Sequence, residues 1–297
     1  MVDMHHISLS SEPELSLRYV VEEQSLIAKT GRDEDCEDAL YIGPNFVAVI
    51  DGATSKTEHR WNGATGGTVA ARIVRETFDQ IPYDATIYQA VEILTSAIRN
   101  FYVQNEAIEK VQSDPTQRSI AVFAAVSLWR GELWFVGDCQ CMLDQEWITN
   151  TKDGDRIAAD ARSLFLEAEI AHGKTIEELM QHDTGREFIL PLLKQQMIFQ
   201  NKPSTGHHWF AVLDGFDVPA EGLQIVRLPE ETKTIILASD GYPYLKTSLE
   251  ETERILQEIL HADPLLFRKH KSTKGITEGN VSYDDRACVK LIMKEGL

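Results

Sequence analysis

An acidic residue stands at the mouth of one predicted β-strand after another, and this placement constrains the fold more than any other feature. Glu37-Asp38 precedes the apolar run 39–42. Residues 46–50 run into Asp51-Gly52, residues 133–136 into Gly137-Asp138, and residues 234–238 into Ser239-Asp240-Gly241. Asp284-Asp285 opens the apolar run 287–292. Carboxylates at strand ends can converge on one side of a sheet. Like-charge repulsion and desolvation oppose a bare cluster of this kind, so it calls for cations. Oxygen-only ligands suit hard divalent ions such as Mg²⁺ or Mn²⁺. The sequence therefore predicts a carboxylate-held metal centre.

Composition narrows the partners. The balance of 29 basic against 47 acidic residues gives a net charge of −18. Phosphate backbones and anionic lipid surfaces need a basic footprint, so we expect neither nucleic acid nor membrane as a partner. With 43% hydrophobic residues over 297 positions, the chain can build a substantial soluble core. Cys36, Cys139, Cys141 and Cys288 form no C-x-x-C pair, which fits free thiols in a reducing compartment. Residues 1–17 lack the basic and apolar regions of a signal peptide, and the apolar stretch near 120–129 is far short of a membrane span. A cytoplasmic protein is expected. Nothing in the sequence addresses its oligomeric state.

Periodicity supplies the architecture. Residues 19–28, 119–128, 132–136, 208–213, 222–227 and 234–238 read as strands, with 119–136 a hairpin. Val69, Ala70, Ile73, Val74 and Phe78 mark one amphipathic helix, and Ile87, Val91, Leu94, Ile98 and Phe101 mark another. Residues 155–172 read as a helix, and 175–199 as a helical region broken at Gly185 and kinked or restarted at Pro191. Ser248-Leu249-Glu250-Glu251 is a capping pattern that opens a helix through Leu260. Residues 271–282 read as a polar loop. Helices come in pairs between groups of strands, without strict β-α alternation. That favours antiparallel sheets covered by paired helices over a doubly wound parallel sheet. No clean linker appears, so one domain over 1–297 is expected.

With these elements in order, the chain resembles the type 2C family of metal-dependent serine/threonine protein phosphatases, the PPM family, as a divergent bacterial-type member. CEDAL at 36–40 is similar to the family's N-E-D-x opening, and VAVIDGAT at 47–54 to its strand ending in Asp-Gly. RSIAVFAAVSLWRGELWFVGDCQCML at 118–143 is similar to its S-T-A-hairpin-G-D-S-R stretch. IILASDGYPYL at 235–245 and YDDRACVKLI at 283–292 are similar to its L-x-S-D-G-x-x-D segment and terminal strand. Residues 145–203 match nothing in the pattern and stand as a mainly helical insertion. That run is either a flap that selects substrates or a packing helix pair. The resemblance implies an α+β fold, a four-layer α-β-β-α sandwich of two antiparallel sheets flanked by paired helices.

It also implies a cleft holding two Mn²⁺ or Mg²⁺ ions, with a third in some settings. On the matching positions, Asp51 would bridge the two ions and Gly52 would add its carbonyl. Asp240 and Asp284 would complete one ion's site, with Asp285 the alternative if the register slips by one. Glu37 would hold the second ion, and Asp138 would stand behind the ligands or on a third ion. Asp38 would accept a hydrogen bond from the attacking water. Two cations lower that water's pKa, and it would attack phosphorus in line with the leaving Ser or Thr oxygen of a phosphorylated protein. Each Asp-Gly on its own is also a common turn.

Three positions depart from the family pattern. Asp33 stands where many members carry a phosphate-gripping Arg, which leaves the adjacent Arg32 as the candidate. Ala53 stands where some carry a His after Asp-Gly, and His59 is read as a surface residue. Gly137-Asp138-Cys139-Gln140 replaces Gly-Asp-Ser-Arg. Two alternatives to a protein phosphatase therefore stay open: a catalytically weak binding or regulatory module, and a phosphatase of a small phosphorylated metabolite. His207-His208 is a poor ligand pair if the segment is a strand, where neighbours point apart.

Overall fold

The structure, a computed structural model, describes residues 18–54, 56–150 and 152–294. The N-terminal reading over 1–17 lies outside the described residues. Among the described residues, ten strands form two five-stranded, wholly antiparallel sheets. The first sheet runs β1 (Tyr19–Ile27), β10 (Arg286–Met293), β9 (Thr234–Ala238), β6 (Gln140–Leu143), β7 (Glu146–Ile148). The second runs β2 (Ala39–Ile42), β3 (Phe46–Gly52), β4 (Ala121–Ser127), β5 (Glu132–Val136), β8 (Leu223–Arg227).

Side-chain alternation along these strands makes the layers. Val47, Val49, Val122, Ala124 and Phe135 point from the second sheet into a shared core with Cys141, Leu237, Val289 and Leu291 of the first. The opposite set, Phe46, Ala48, Ile50, Phe123, Ala125 and Trp134, packs under helices α1 (Gly66–Thr77) and α2 (Ile87–Gln104) through Val74, Leu94 and Ile98. β3 and β4 are thus buried on both faces, which is why they read as unbroken apolar runs. The outer face of the first sheet meets α7 (Leu249–Ala262): Met142, Ile236 and Cys288 pack with Leu256 and Leu260. The α-β-β-α sandwich expected from the sequence is the architecture observed.

A short α3 (Ile108–Ser113) follows α2 and was not anticipated. The unmatched middle of the chain forms α4 (Asp153–Ala171), α5 (Ile176–Gln181) and α6 (Thr184–Gln195). These helices carry small apolar clusters separate from the sandwich core. The break expected at Gly185 falls instead at His182-Asp183, because the Asp183 carboxylate caps α6 by accepting from the Arg186 N–H at 2.8 Å. Gly185 lies inside α6, where a Cβ would press on the Leu166 side chain at 2.7 Å. Pro191 sits within α6 and does not end it. The strand expected over 208–213 is reduced to isolated bridges, Gln200 with Phe210 and Ala121 with Leu213. Between those bridges the Asn201 side chain takes both the N–H and the C=O of Val212, the groups a ladder would have used.

Candidate metal centre

Antiparallel pairing alone gathers the acids. β3 ends where its neighbour β2 begins, with Ile50 opposite Ala39, so Asp51 comes beside Glu37-Asp38. β9 ends where β10 begins, with Ala238 opposite Cys288, so Asp240 comes beside Asp284-Asp285. Two glycines allow the backbones to close. A Cβ on Gly52 would run into the carbonyls of Glu37 and Gly67, and one on Gly241 into the carbonyl of Asp285. The Asp-Gly pairs are thus more than turns: each glycine lets one acidic segment lie against another.

The carboxylates crowd one another. Asp51 and Asp240 act on each other electrostatically. Lost hydration, then the charges of Asp38, Asp138 and Asp284, push the Asp51 carboxyl well above the usual carboxylate range. Asp240 moves the same way, through lost hydration, then Asp51, Asp138 and Asp284. Its side chain is open at the mouth, so the nearby carboxylates are the cause that solvent exposure leaves standing. Asp38 is buried and pushed up first by desolvation, against a hydrogen bond from Ser239. Among the described residues its Oδ2 has no hydrogen-bond partner, although it is shut away from solvent. Burial raises the Cys139 thiol well above its usual range, so it is a packed, inert group.

Lysines meet the remaining acids. Lys29 Nζ lies 2.8 Å from Glu37 Oε2 and 2.7 Å from Asp285 Oδ2, and its backbone N–H donates to Asp285 Oδ1 at 2.8 Å. Burial alone would lower the Lys29 ammonium, but Glu37, Asp284 and Asp285 outweigh that and raise it. Lys274 pairs with Asp284 Oδ2 at 2.5 Å and Lys152 with Asp138 Oδ2 at 3.0 Å. Glu37 also accepts from Thr65 Oγ1 at 2.6 Å and Thr54 Oγ1 at 3.2 Å. Asp38, Asp51 and Asp240 have no ion-pair partner among the described residues. An oxygen-only donor set containing an orphaned buried oxygen and mutually repelling carboxylates suits divalent cations.

The fold therefore places Glu37, Asp38, Asp51 with Gly52, Asp138, Asp240 and Asp284 at neighbouring strand ends, where the aspartates act on one another electrostatically. Among the described residues, however, no three of these carboxylates bring donor atoms within 4.8 Å of one another. Asp285 is turned away to Lys29. Arg32 is exposed, its guanidinium held by Asp35, and among the described residues no contact joins it to the acids. His59 stacks edge-on against Trp61, with ring centroids 4.7 Å apart. His207 and His208 occupy a turn, and their rings lie 4.0 Å apart. The expectation that they point apart fails with the strand it assumed. Donor atoms of Asp153, His207 and His208 come within 4.8 Å of one another. His208 Nδ1 lies 2.8 Å from Asp153 Oδ2 without hydrogen-bond alignment, and Arg156 holds the other Asp153 oxygen at 2.5 Å. Sequence reasoning missed Lys29, Lys152 and Lys274, because lone lysines in loops carry no local pattern that marks them.

No protein-family model matches the chain, and no curated protein matches it. Solved structures do. The chain is similar to the serine/threonine phosphatase PstP/Ppp of Mycobacterium tuberculosis, at 18% identity and a TM-score of 0.45, over 93% of this chain and 98% of that one. The PstP catalytic domain in complex with two manganese ions gives 18% identity and a TM-score of 0.46, over 93% and 97%. Serine/threonine phosphatase Stp1 of Staphylococcus aureus gives 16% identity and a TM-score of 0.45, over 99% and 100%.

Proposed function

We propose that the chain is a single-domain, PPM-type, metal-dependent phosphatase that hydrolyses phosphoserine or phosphothreonine in proteins. The observation that carries this reading is the crowding of Asp51 against Asp240 beside the orphaned Oδ2 of Asp38. Such an arrangement is costly without cations, and the sandwich is built to hold it. Two ions, Mn²⁺ or Mg²⁺, on Glu37, Asp51, Gly52, Asp240 and Asp284, with a third reaching Asp138 only in place of Lys152, would neutralise charge on the phosphoryl oxygens and lower the pKa of an attacking water.

The chain's own groups do the rest. Asp38 Oδ2 is the free acceptor that orients the water. Thr54 and Thr65 hold both Glu37 oxygens, and Lys29 holds Glu37 and Asp285 in one place. Ser239 ties Asp38 to the first sheet, since its Oγ accepts from the Ala287 N–H at 2.9 Å.

The test is p-nitrophenyl phosphate and phosphopeptide hydrolysis with Mn²⁺, Mg²⁺ or EDTA, comparing wild type with Asp240→Asn. Turnover that needs metal and is lost in the variant supports the reading. A folded, metal-loaded protein inert on every phosphoester refutes it, and turnover confined to small esters moves the substrate to a phosphorylated metabolite. One observation favours a second reading, a non-catalytic binding module. Lys29, Lys152 and Lys274 already occupy four carboxylates in the way cations would. Failure to bind Mn²⁺ would select that reading.

A further inference from the structure

Beside the acids lies a basic group that the motifs did not reveal. Lys56 Nζ donates to the Thr54 carbonyl at 2.6 Å, and Lys274 Nζ donates to Thr54 Oγ1 at 3.1 Å. Thr54 Oγ1 in turn donates to Glu37, so both ammoniums converge on a residue that touches the acidic cluster. Arg186, in the first turn of α6, donates from Nη1 to the Thr273 carbonyl at 2.9 Å, next to Lys274 in the chain. Lys152 completes the set from the start of α4, where it pairs with Asp138. Arg186, Lys274 and Lys152 all act electrostatically on Lys56, which, chiefly through burial, drops to about 8.

The group is built, not incidental. Arg162 is fully buried and pairs with Asp183, the cap of α6 that precedes Arg186. Its Nη1 also donates to the carbonyls of Leu265 at 2.8 Å and Ser272 at 3.1 Å, which anchors the loop that carries Lys274. One buried guanidinium therefore fixes Arg186 and Lys274 relative to each other. Neither Lys56 nor Arg186 has an ion-pair partner among the described residues. The acid acting on both is Asp155, which accepts from Gln196 Nε2 at 2.9 Å.

We propose that Lys56 and Arg186, with Lys274 beside them, grip the nonbridging oxygens of a phosphate monoester, the task the sequence reading left to Arg32. This rests on the phosphatase reading of the adjacent acids. Gathered cations repel one another, and a tetrahedral dianion relieves that better than a carboxylate, since it offers several oxygens to a guanidinium fork and two ammoniums. The grip comes from the segment after β3, the helical layer and the 263–282 loop, outside the two sheets, which explains why no family motif marks it.

The test uses the full chain, inorganic phosphate as probe and constant ionic strength. Phosphate affinity is measured by calorimetry on EDTA-treated protein, and KM and kcat for p-nitrophenyl phosphate on Mn²⁺-loaded protein. Lys56→Met and Arg186→Met are compared with wild type, with Lys202→Met as a distant control. Each site variant is expected to weaken phosphate binding roughly tenfold or more and to raise KM alike, while Lys202→Met changes neither. Lys56→Met stands independently if Arg186→Met loosens α6. Phosphate affinity and KM both unchanged in Lys56→Met would overturn the proposal, as would wild type that binds no phosphate. Phosphate binding that depends on Lys56 in a protein without turnover would uphold the anion site and refute the phosphatase reading.

Discussion

Replacing Arg162 with Met tests whether the helical layer is held to the sandwich as described. The wild-type side chain is fully buried, and its partner Asp183 keeps 21% of its side chain in water. The substitution fills most of the volume but strands the Asp183 carboxylate and the carbonyls of Leu265 and Ser272. Breaking one side of a buried pair costs about 3–5 kcal/mol, and the partial hydration of Asp183 puts this case near about 3 kcal/mol. For a chain of this size that is a Tm fall of about 6 °C if the loss is global. We expect it to be local, because α4 and α6 carry their own apolar clusters. Hydrogen exchange should therefore accelerate over 153–195 and 263–275 while β3, β4, β9 and β10 keep their protection. Asp183→Asn retains the helix cap, and combining it with Arg162→Met should cost about 1–2 kcal/mol less than the two changes added. Exchange that stays unchanged over 153–195 and 263–275, or that rises evenly across both sheets, would refute the reasoning.

Three further outcomes are expected. In EDTA, Asp51→Asn should stabilise the protein by about 1–2 kcal/mol at pH 8 and by nothing near pH 4. The raised folded-state carboxyl of Asp51 costs nothing below its unfolded value of 3.8 and increasingly more above it, so a Tm series against pH that shows no widening gap contradicts this. Gly241→Ala forces the Asp285 backbone away and should cost about 1–3 kcal/mol together with a measurable loss of Mn²⁺ affinity; unchanged denaturant midpoint and metal titration would count against the close packing. Lys29→Met strands Glu37 and Asp285 and should lower stability in EDTA by about 3 kcal/mol, with added Mn²⁺ restoring part of it, both read by thermal melts.

The acids were legible because strand ends are. An apolar run that stops at Asp-Gly states both the element and where its carboxylate lies, and antiparallel neighbours then bring such ends together without further information. The 208–213 segment shows the limit of that grammar. Its residues have strand composition, yet the Asn201 side chain captures the Val212 backbone, a long-range contact that periodicity cannot report. The same limit hid the cations. Lys29, Lys56, Lys152, Arg186 and Lys274 come from separate loops and helix starts, and only the folded chain brings them to the acids. Arg32, chosen for nearness in sequence to the motif, is taken by Asp35 three residues on.

The division of origin between the two charge sets has a mechanical consequence. The carboxylates sit on strand ends braced by the inter-sheet core, and Gly52 and Gly241 press their backbones together. Lys152 and Arg186 belong to the helical layer, which meets the rest of the fold through a small apolar cluster, Leu166 and Leu179 with Leu265 and Phe267, and through polar ties: Lys152 to Asp138, Arg186 to Thr273 and Arg162 to the 265–272 carbonyls. Polar ties of this kind shift at less cost than a packed core, since water can replace each in turn. A small displacement of α4 and α6 would therefore loosen the anion grip while leaving every carboxylate in place. In such a design affinity for the phosphoester and the capacity to hold cations vary separately. Substitutions in the helical layer should then act on KM, and those at the strand ends on metal affinity and kcat.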